Sequence, residues 1–257
     1  RIYNPFSLCI AFERKELGDY WFETATPSFL VQVLEQNAFN IPDLEGNINV
    51  YLKDMDDYRV NYANLIPLLF QSGYLTIKDY DAEFDSYLVG FPNDEVRYAF
   101  LRRLMNVYNG ASDGLSREFA VSEFVRSIRE GDIDRMLTLT KSLMASIPYD
   151  SLPEGEHFLR EHNYQTAIYL IFRLMGQYVR TEVHSSQGRS DAEVETKDGV
   201  YIFEFKVAGK PQDAITQIKK AGYADKYASS NKSVFLIGAV ISRNKRTLGK
   251  WQIEKLK

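Results

Sequence analysis

Apolar residues recur along this chain with two periods, and the change from one to the other marks its zones. Phe29, Leu30, Val33 and Leu34 follow helical spacing behind Thr26-Pro27, a capping residue with proline at the first helical position. A short helix is predicted for 64–71, stopped by Gly73. Tyr74-Leu75-Thr76-Ile77 and Tyr87-Leu88-Val89-Gly90-Phe91 flank the polar stretch Lys78 to Ser86, the pattern of a β-hairpin, and Pro92 closes it. Helical spacing then returns. Asn93 caps a stripe of Arg97, Phe100, Leu101 and Leu104, and Ser116 caps one of Phe119, Phe124, Val125 and Ile128. Gly131-Asp132 breaks that helix and caps a third, with Met136, Leu137, Leu139, Leu143 and Met144. A long helix is predicted for about 155–175, ended by Gly176. Strands are predicted near 178–185, 190–196 and 200–207, then a helix near 211–228 and a strand near 233–241.

Three regions follow from this order. Residues 1–92 read helix, hairpin, helix, the order of a winged-helix-like module. Asp79, Asp81, Glu83 and Asp85 in its wing argue against phosphate contact, so a structural or regulatory role is expected there. Such modules also dimerise, which makes a homodimer one expected assembly. Residues 93–152 read as a helical connector whose apolar stripes are core. Residues 153–257 read α-β-β-β-α-β, and the fold class expected for the chain is α+β or mixed α/β.

Composition narrows the function. No apolar run approaches 18 residues and no charged-then-apolar leader is present, so no membrane partner is expected. The lone Cys9 excludes an internal disulfide. With His157, His162 and His184 scattered, no zinc spacing arises, and a reducing, cytoplasmic setting is the simplest expectation. The chain opens on Arg1, which reads as a piece of something longer. Charge is uneven: Tyr201 to Lys257 holds 12 Lys and Arg against 4 Asp and Glu, inside a chain of net charge −4. That hints at a polyanion surface, or at lysines on solvated helix faces.

The strand near 200–207 carries the chemistry. Alternation puts Tyr201, Phe203, Phe205 and Val207 on one face and Ile202, Glu204 and Lys206 on the other. Opposite charges on a central apolar strand are costly unless paired or bound to something. Asp198-Gly199 is a two-residue hairpin signal. With those residues as the turn, Glu193 faces Glu204 and Asp191 faces Lys206. Asp191 and Glu204 are then diagonal neighbours, at about 7–8 Å between backbones. Their carboxylates can share one hard cation, Mg²⁺ or Mn²⁺, with Lys206 beside it. Glu193 opposite Glu204 would add to the demand for a cation. The bland alternative is an exposed Glu/Lys pair on an amphipathic strand.

Several motifs together resemble a family in which an AAA-ATPase-like region precedes a PD-(D/E)XK nuclease domain. They are Glu161-His162-Asn163-Tyr164-Gln165, Gly188-Arg189-Ser190-Asp191, Tyr201-Ile202-Phe203-Glu204-Phe205-Lys206, Gln217-Ile218 and Gly222-Tyr223-Ala224-Asp225-Lys226-Tyr227. Asn4-Pro5-Phe6-Ser7, Tyr20-Trp21-Phe22-Glu23-Thr24 and the run from Pro67 to Thr76 resemble the end of the ATPase-like region. The resemblance implies a restriction-endonuclease-like core that cleaves nucleic acid, DNA before RNA. It implies Asp191, Glu204 and the Phe205 carbonyl as metal ligands. Lys206 would serve the water and the phosphate, and Glu161 would be an outer ligand or stand behind the ligands. Gln217 would position the site, and Lys220, Arg189 and Tyr223 would bind substrate. Ser190 stands where the family usually has an apolar residue. No Gly-x-x-x-x-Gly-Lys-Ser/Thr is present, so this chain holds no ATP site, and an upstream ATPase-like domain is an expected partner. The rival reading is a catalytically inactive module that keeps the fold to bind nucleic acid or protein.

Overall fold

The structure is a computed structural model describing residues 5–16, 39–46, 48–51, 65–108, 120–147, 157–183, 191–242 and 247–257. The chain divides into two compact units, 1–104 and 105–257. The helix predicted behind Thr26-Pro27 lies outside the described residues.

In the first unit, helix α1 (Pro5–Arg14) is followed by a 3₁₀ turn at Ile41–Glu45, strand β1 (Ile48–Tyr51), helix α2 (Leu65–Gln71), strands β2 (Thr76–Asp81) and β3 (Ser86–Gly90), and the start of helix α3 (Asp94–Tyr108). The predicted hairpin is present, and β1 adds an antiparallel third strand on the other side of β3. The Asn93 side chain accepts the Val96 N–H at 2.9 Å, which fixes the start of α3. Tyr74, Phe91 and Phe100 close the core, with ring centroids 5.3 and 5.5 Å apart around Phe100. Asp79, Asp81, Glu83 and Asp85 are exposed, and Asp81 accepts the N–H groups of Glu83 and Phe84 to shape the turn.

The second unit contains α4 (Val121–Glu130), α5 (Ile133–Ser146), α6 (His157–Met175), β4 (Arg180–Val183), β5 (Ala192–Glu195), β6 (Gly199–Lys206), α7 (Pro211–Ala221), β7 (Ser233–Ser242) and β8 (Thr247–Lys255). The five strands form one sheet in chain order, antiparallel except for the parallel β6–β7 pair. The α6 face receives the odd-numbered side chains of β6: Phe172 lies 4.9 Å from Phe203 and 6.1 Å from Phe205 between ring centroids. The other face lies under α7, whose Ile215 and Ile218 pack with Val200, Ile202, Val234 and Leu236. With both faces covered, β6 reads as a nearly continuous apolar run, and that is why its charges stand out. α4 and α5 also belong to this unit. Asp132 caps α5 through the Arg135 N–H at 2.9 Å, and the Trp251 indole of β8 donates to Asp134 at 2.7 Å.

Two predictions need correction. The hairpin turn is Lys197-Asp198, not Asp198-Gly199: the Thr196 N–H donates to the Gly199 carbonyl at 2.8 Å, and the Gly199 N–H donates to the Thr196 hydroxyl at 3.1 Å. Glu193 therefore faces Ile202, not Glu204, and the same register continued sets Asp191 directly opposite Glu204 instead of Lys206. The Asp-Gly signal loses because Lys232 donates to the Thr196 carbonyl at 2.6 Å and to Glu195 at 2.9 Å, pinning the strand end one residue earlier. A slip of two residues preserves which side chains share a face. The helix predicted to 228 stops at Ala221, because Gly222 adopts φ 69° and folds the chain back into a 3₁₀ turn at Asp225–Tyr227. β8 has no counterpart among the predicted strands, although Lys250, Gln252 and Glu254 alternate with Trp251 and Ile253 at a strand's period of two.

Gly238 of β7, beside Glu204 on β6, lets α7 lie against the sheet. A Cβ there would meet the Pro211 carbonyl inside any normal contact distance, and Ala214 at 3.0 Å. Gly238→Ala is expected to lower stability by about 1–3 kcal/mol through overpacking, read as a reduced urea midpoint at unchanged slope.

Candidate functional site

The site lies where β6 continues past the start of β5. Asp191 is the residue just before β5, so no strand residue remains to take the next ladder bond. Its carboxylate takes it instead, accepting the Phe205 N–H at 2.7 Å. N–H and C=O of one strand residue point to the same neighbour, so the Phe205 carbonyl lies along the same edge as that carboxylate. Opposite stands Glu204, only 3% exposed. Its Oε1 accepts from the Lys206 ammonium at 3.1 Å. Its Oε2 is buried and has no hydrogen-bond partner among the described residues. Lys206, two residues on and on the same face, also donates to Gln217 Oε1 in the second turn of α7.

The electrostatics follow from this packing. Burial, reinforced by the Asp191 charge, pushes the Glu204 carboxyl up to about 6 despite Lys206 and the Asp191 main-chain N–H. Burial likewise raises Asp191, against the opposing pull of the Phe205 N–H and Lys206. Two oxygen-rich groups face each other, and one buried oxygen is left without a donor. Such a pair suits a hard divalent cation, because its charge would supply what the missing donor does not. Among the described residues no group of three or more His, Cys, Asp and Glu gathers to hold an ion, so main-chain oxygen or water would complete the coordination.

Asp191, Glu204, Phe205, Lys206 and Gln217 thus come together. Lys220 is exposed on α7, three residues beyond Gln217. Tyr223 is half-buried against the apolar cluster under α7. Glu161 falls within α6, but its side chain lies outside the described residues, as does Arg189.

Sequence reasoning misassigned Glu193. It is 6% exposed and takes the Tyr227 hydroxyl at 2.8 Å and the Lys226 ammonium at 2.7 Å. Lys226 also reaches Glu182, the residue opposite Glu193, at 3.1 Å. Burial works against the Lys226 charge, but the two carboxylates outweigh it and hold the ammonium above the usual lysine value. Burial and Glu193 raise Tyr227 to about 12. The available signal was the glycine at 222, which ends the helix early enough to bring this turn back over β5.

The Glu204 shift has a stability consequence. A carboxyl whose folded value exceeds its unfolded one binds its proton more tightly when folded, so its contribution is present at low pH and is lost as pH rises through about 6. In metal-free protein, wild type should lose about 2 kcal/mol relative to Glu204→Gln between pH 4.5 and pH 7. Urea unfolding in EDTA across that range measures it, and parallel pH profiles for the two proteins would contradict the assignment.

Residues 159–251 match the model of the PD-(D/E)XK nuclease superfamily. The chain is 33% identical over 264 residues to an uncharacterized protein in the vnfD 5′ region of Azotobacter chroococcum mcd 1. That match covers 99% of this chain and 50% of the relative, so the chain spans about half its length. No solved structure matches the chain. The C-terminal part of the chain is a PD-(D/E)XK nuclease-like domain.

Proposed function

We propose that this chain hydrolyses phosphodiester bonds in nucleic acid, DNA before RNA, with Mg²⁺ or Mn²⁺ held by Asp191, Glu204 and the Phe205 carbonyl. The observation that carries this reading is the buried Glu204 oxygen without a hydrogen bond among the described residues, beside Asp191, whose carboxylate accepts the N–H of the next residue on β6. When bound, the ion would polarise the phosphate, lower the pKa of a water and neutralise developing charge. Lys206 orients the attacking water and stabilises the crowded phosphorus centre, held in place by Glu204 and Gln217. Lys220 extends a positive track from the site for the backbone of the substrate. Glu161, Arg189 and Tyr223 complete the proposed set: Glu161 behind the ligands, Arg189 and Tyr223 toward substrate.

The wider setting is part of the proposal. The relative is about twice as long as this chain, and the N-terminal motifs resemble the end of an ATPase-like region. The nuclease-like unit would then act as the effector of an ATPase-linked protein. The hairpin module of 1–92 would serve as a winged-helix-like structural or regulatory element. Among the described residues no helix is long and apolar enough to cross a membrane, and we place the activity in the cytoplasm.

Incubation with supercoiled plasmid and with single-stranded DNA tests the activity. Cleavage should require Mg²⁺ or Mn²⁺ and stop with EDTA. Glu204→Ala and Lys206→Ala should each lower the rate by about 10³-fold. Cleavage that survives either substitution overturns the site. No cleavage of any substrate by wild type, with metal bound, favours the inactive binding module. Phosphate release from ATP should stay at background in every variant, because the chain has no P-loop.

A further inference from the structure

The sheet face under α7 carries two neighbouring acidic rungs. Glu182 on β4 stands opposite Glu193 on β5, and Asp191, two residues from Glu193, stands by Glu204 on β6. Two residues span about 7 Å of strand, so Glu193 is near enough to join an ion held by Asp191 unless something restrains it. A carboxylate buried this deeply must be compensated in either case.

The two rungs are compensated differently. On the first, Lys226 lies 2.7 Å from Glu193 and 3.1 Å from Glu182, and the Tyr227 hydroxyl donates to Glu193 at 2.8 Å. Lys226 sits where a cation bridging the two acids would sit, 5.2 Å from the Tyr227 ring centroid. On the second, Lys206 reaches one oxygen of Glu204 and the other has no partner among the described residues.

We propose that Lys226 and Tyr227 withdraw Glu193 from the metal site, so that this face takes one divalent ion, through Asp191 and Glu204, and no second. Lys226 is a positioning residue that stands in for a second cation. This rests on the metal-dependent reading above and adds to it the number of ions and the reason for that number. The pair Glu182 and Glu193 forms a latent cation site filled by the protein's own ammonium.

Electron paramagnetic resonance of free Mn²⁺, titrated into the full chain, counts ions and gives their affinity. Wild type should bind one ion, and Glu204→Gln should abolish it. Glu193→Gln should still bind one, with affinity within about threefold of wild type, whereas loss of a true ligand would weaken it by about tenfold or more. Lys226→Met should gain a second ion. Tenfold weakening in Glu193→Gln, two ions in wild type, or a folded Lys226→Met that still binds one overturns the proposal. If Lys226→Met does not fold, the Glu193→Gln affinity decides alone. Wild-type-like binding by Glu204→Gln instead overturns the metal reading itself, whatever Glu193→Gln does.

Discussion

The nuclease-like unit is organised around one costly placement: a carboxylate, Glu204, at 3% exposure on a strand buried on both faces. Removing a charge from water is unfavourable by several kcal/mol unless partners restore what water supplied. One Glu204 oxygen has Lys206, and the other makes no hydrogen bond among the described residues. The surroundings are arranged to hold this imbalance in place. β5 begins only at Ala192, so Asp191 can spend its carboxylate on the Phe205 N–H and face Glu204. Gly238 lets α7 come down on the sheet, and α7 brings Gln217 to Lys206.

The same helix decides how the neighbouring rung is treated. Had α7 run on to 228, Lys226 and Tyr227 would be carried away at about 1.5 Å per residue along its axis. Gly222, in the left-handed region at φ 69°, turns the chain instead. The 3₁₀ turn that follows delivers Lys226 and Tyr227 to Glu193. One helix thus supplies Gln217 to Lys206, and the turn at its end supplies the pair that engages Glu193. The length of α7 therefore decides which side chains reach the sheet.

Much of this was legible in the sequence, and the failures have physical causes. The alternation of Ile202, Glu204 and Lys206 against Tyr201, Phe203 and Phe205 was readable, because a strand has a period of two wherever it sits. The register was not. Asp198-Gly199 is a sound local turn signal, but the turn moved to Lys197-Asp198 because Lys232, more than thirty residues downstream, holds Thr196 and Glu195. Long-range side-chain bonds of that kind leave no local trace. Face assignment survived because the slip was even, so Asp191 and Glu204 still met, opposite each other instead of diagonally. β8 did carry a readable signal, since Lys250, Gln252 and Glu254 alternate with Trp251 and Ile253 as in a half-buried strand, and its place in the sheet comes from pairing with β7. In the first unit the hairpin was legible from its two apolar runs, whereas β1 was not, being four residues long.

The charge asymmetry of the sequence is a weaker guide than the site. Tyr201 to Lys257 carries a large excess of lysine and arginine, which on its face suggests a basic surface for a polyanion. The fold redistributes it. Lys226 is matched by Glu182 and Glu193, Lys232 by Glu195, Lys219 by Glu254 and Lys206 by Glu204. Glu182, Glu193 and Glu195 all precede residue 201, so a count confined to the C-terminal segment includes the lysines and omits their partners. Part of the excess is internal compensation for acids on the sheet face, not a surface field. On the proposed function, attraction for a phosphate backbone would come from fewer groups near the site, chiefly Lys206 and Lys220 on the exposed side of α7. A chain of net charge −4 can act on a polyanion on those terms, because what matters is the sign of the charge within about one Debye length of the site, about 8–10 Å at ordinary salt.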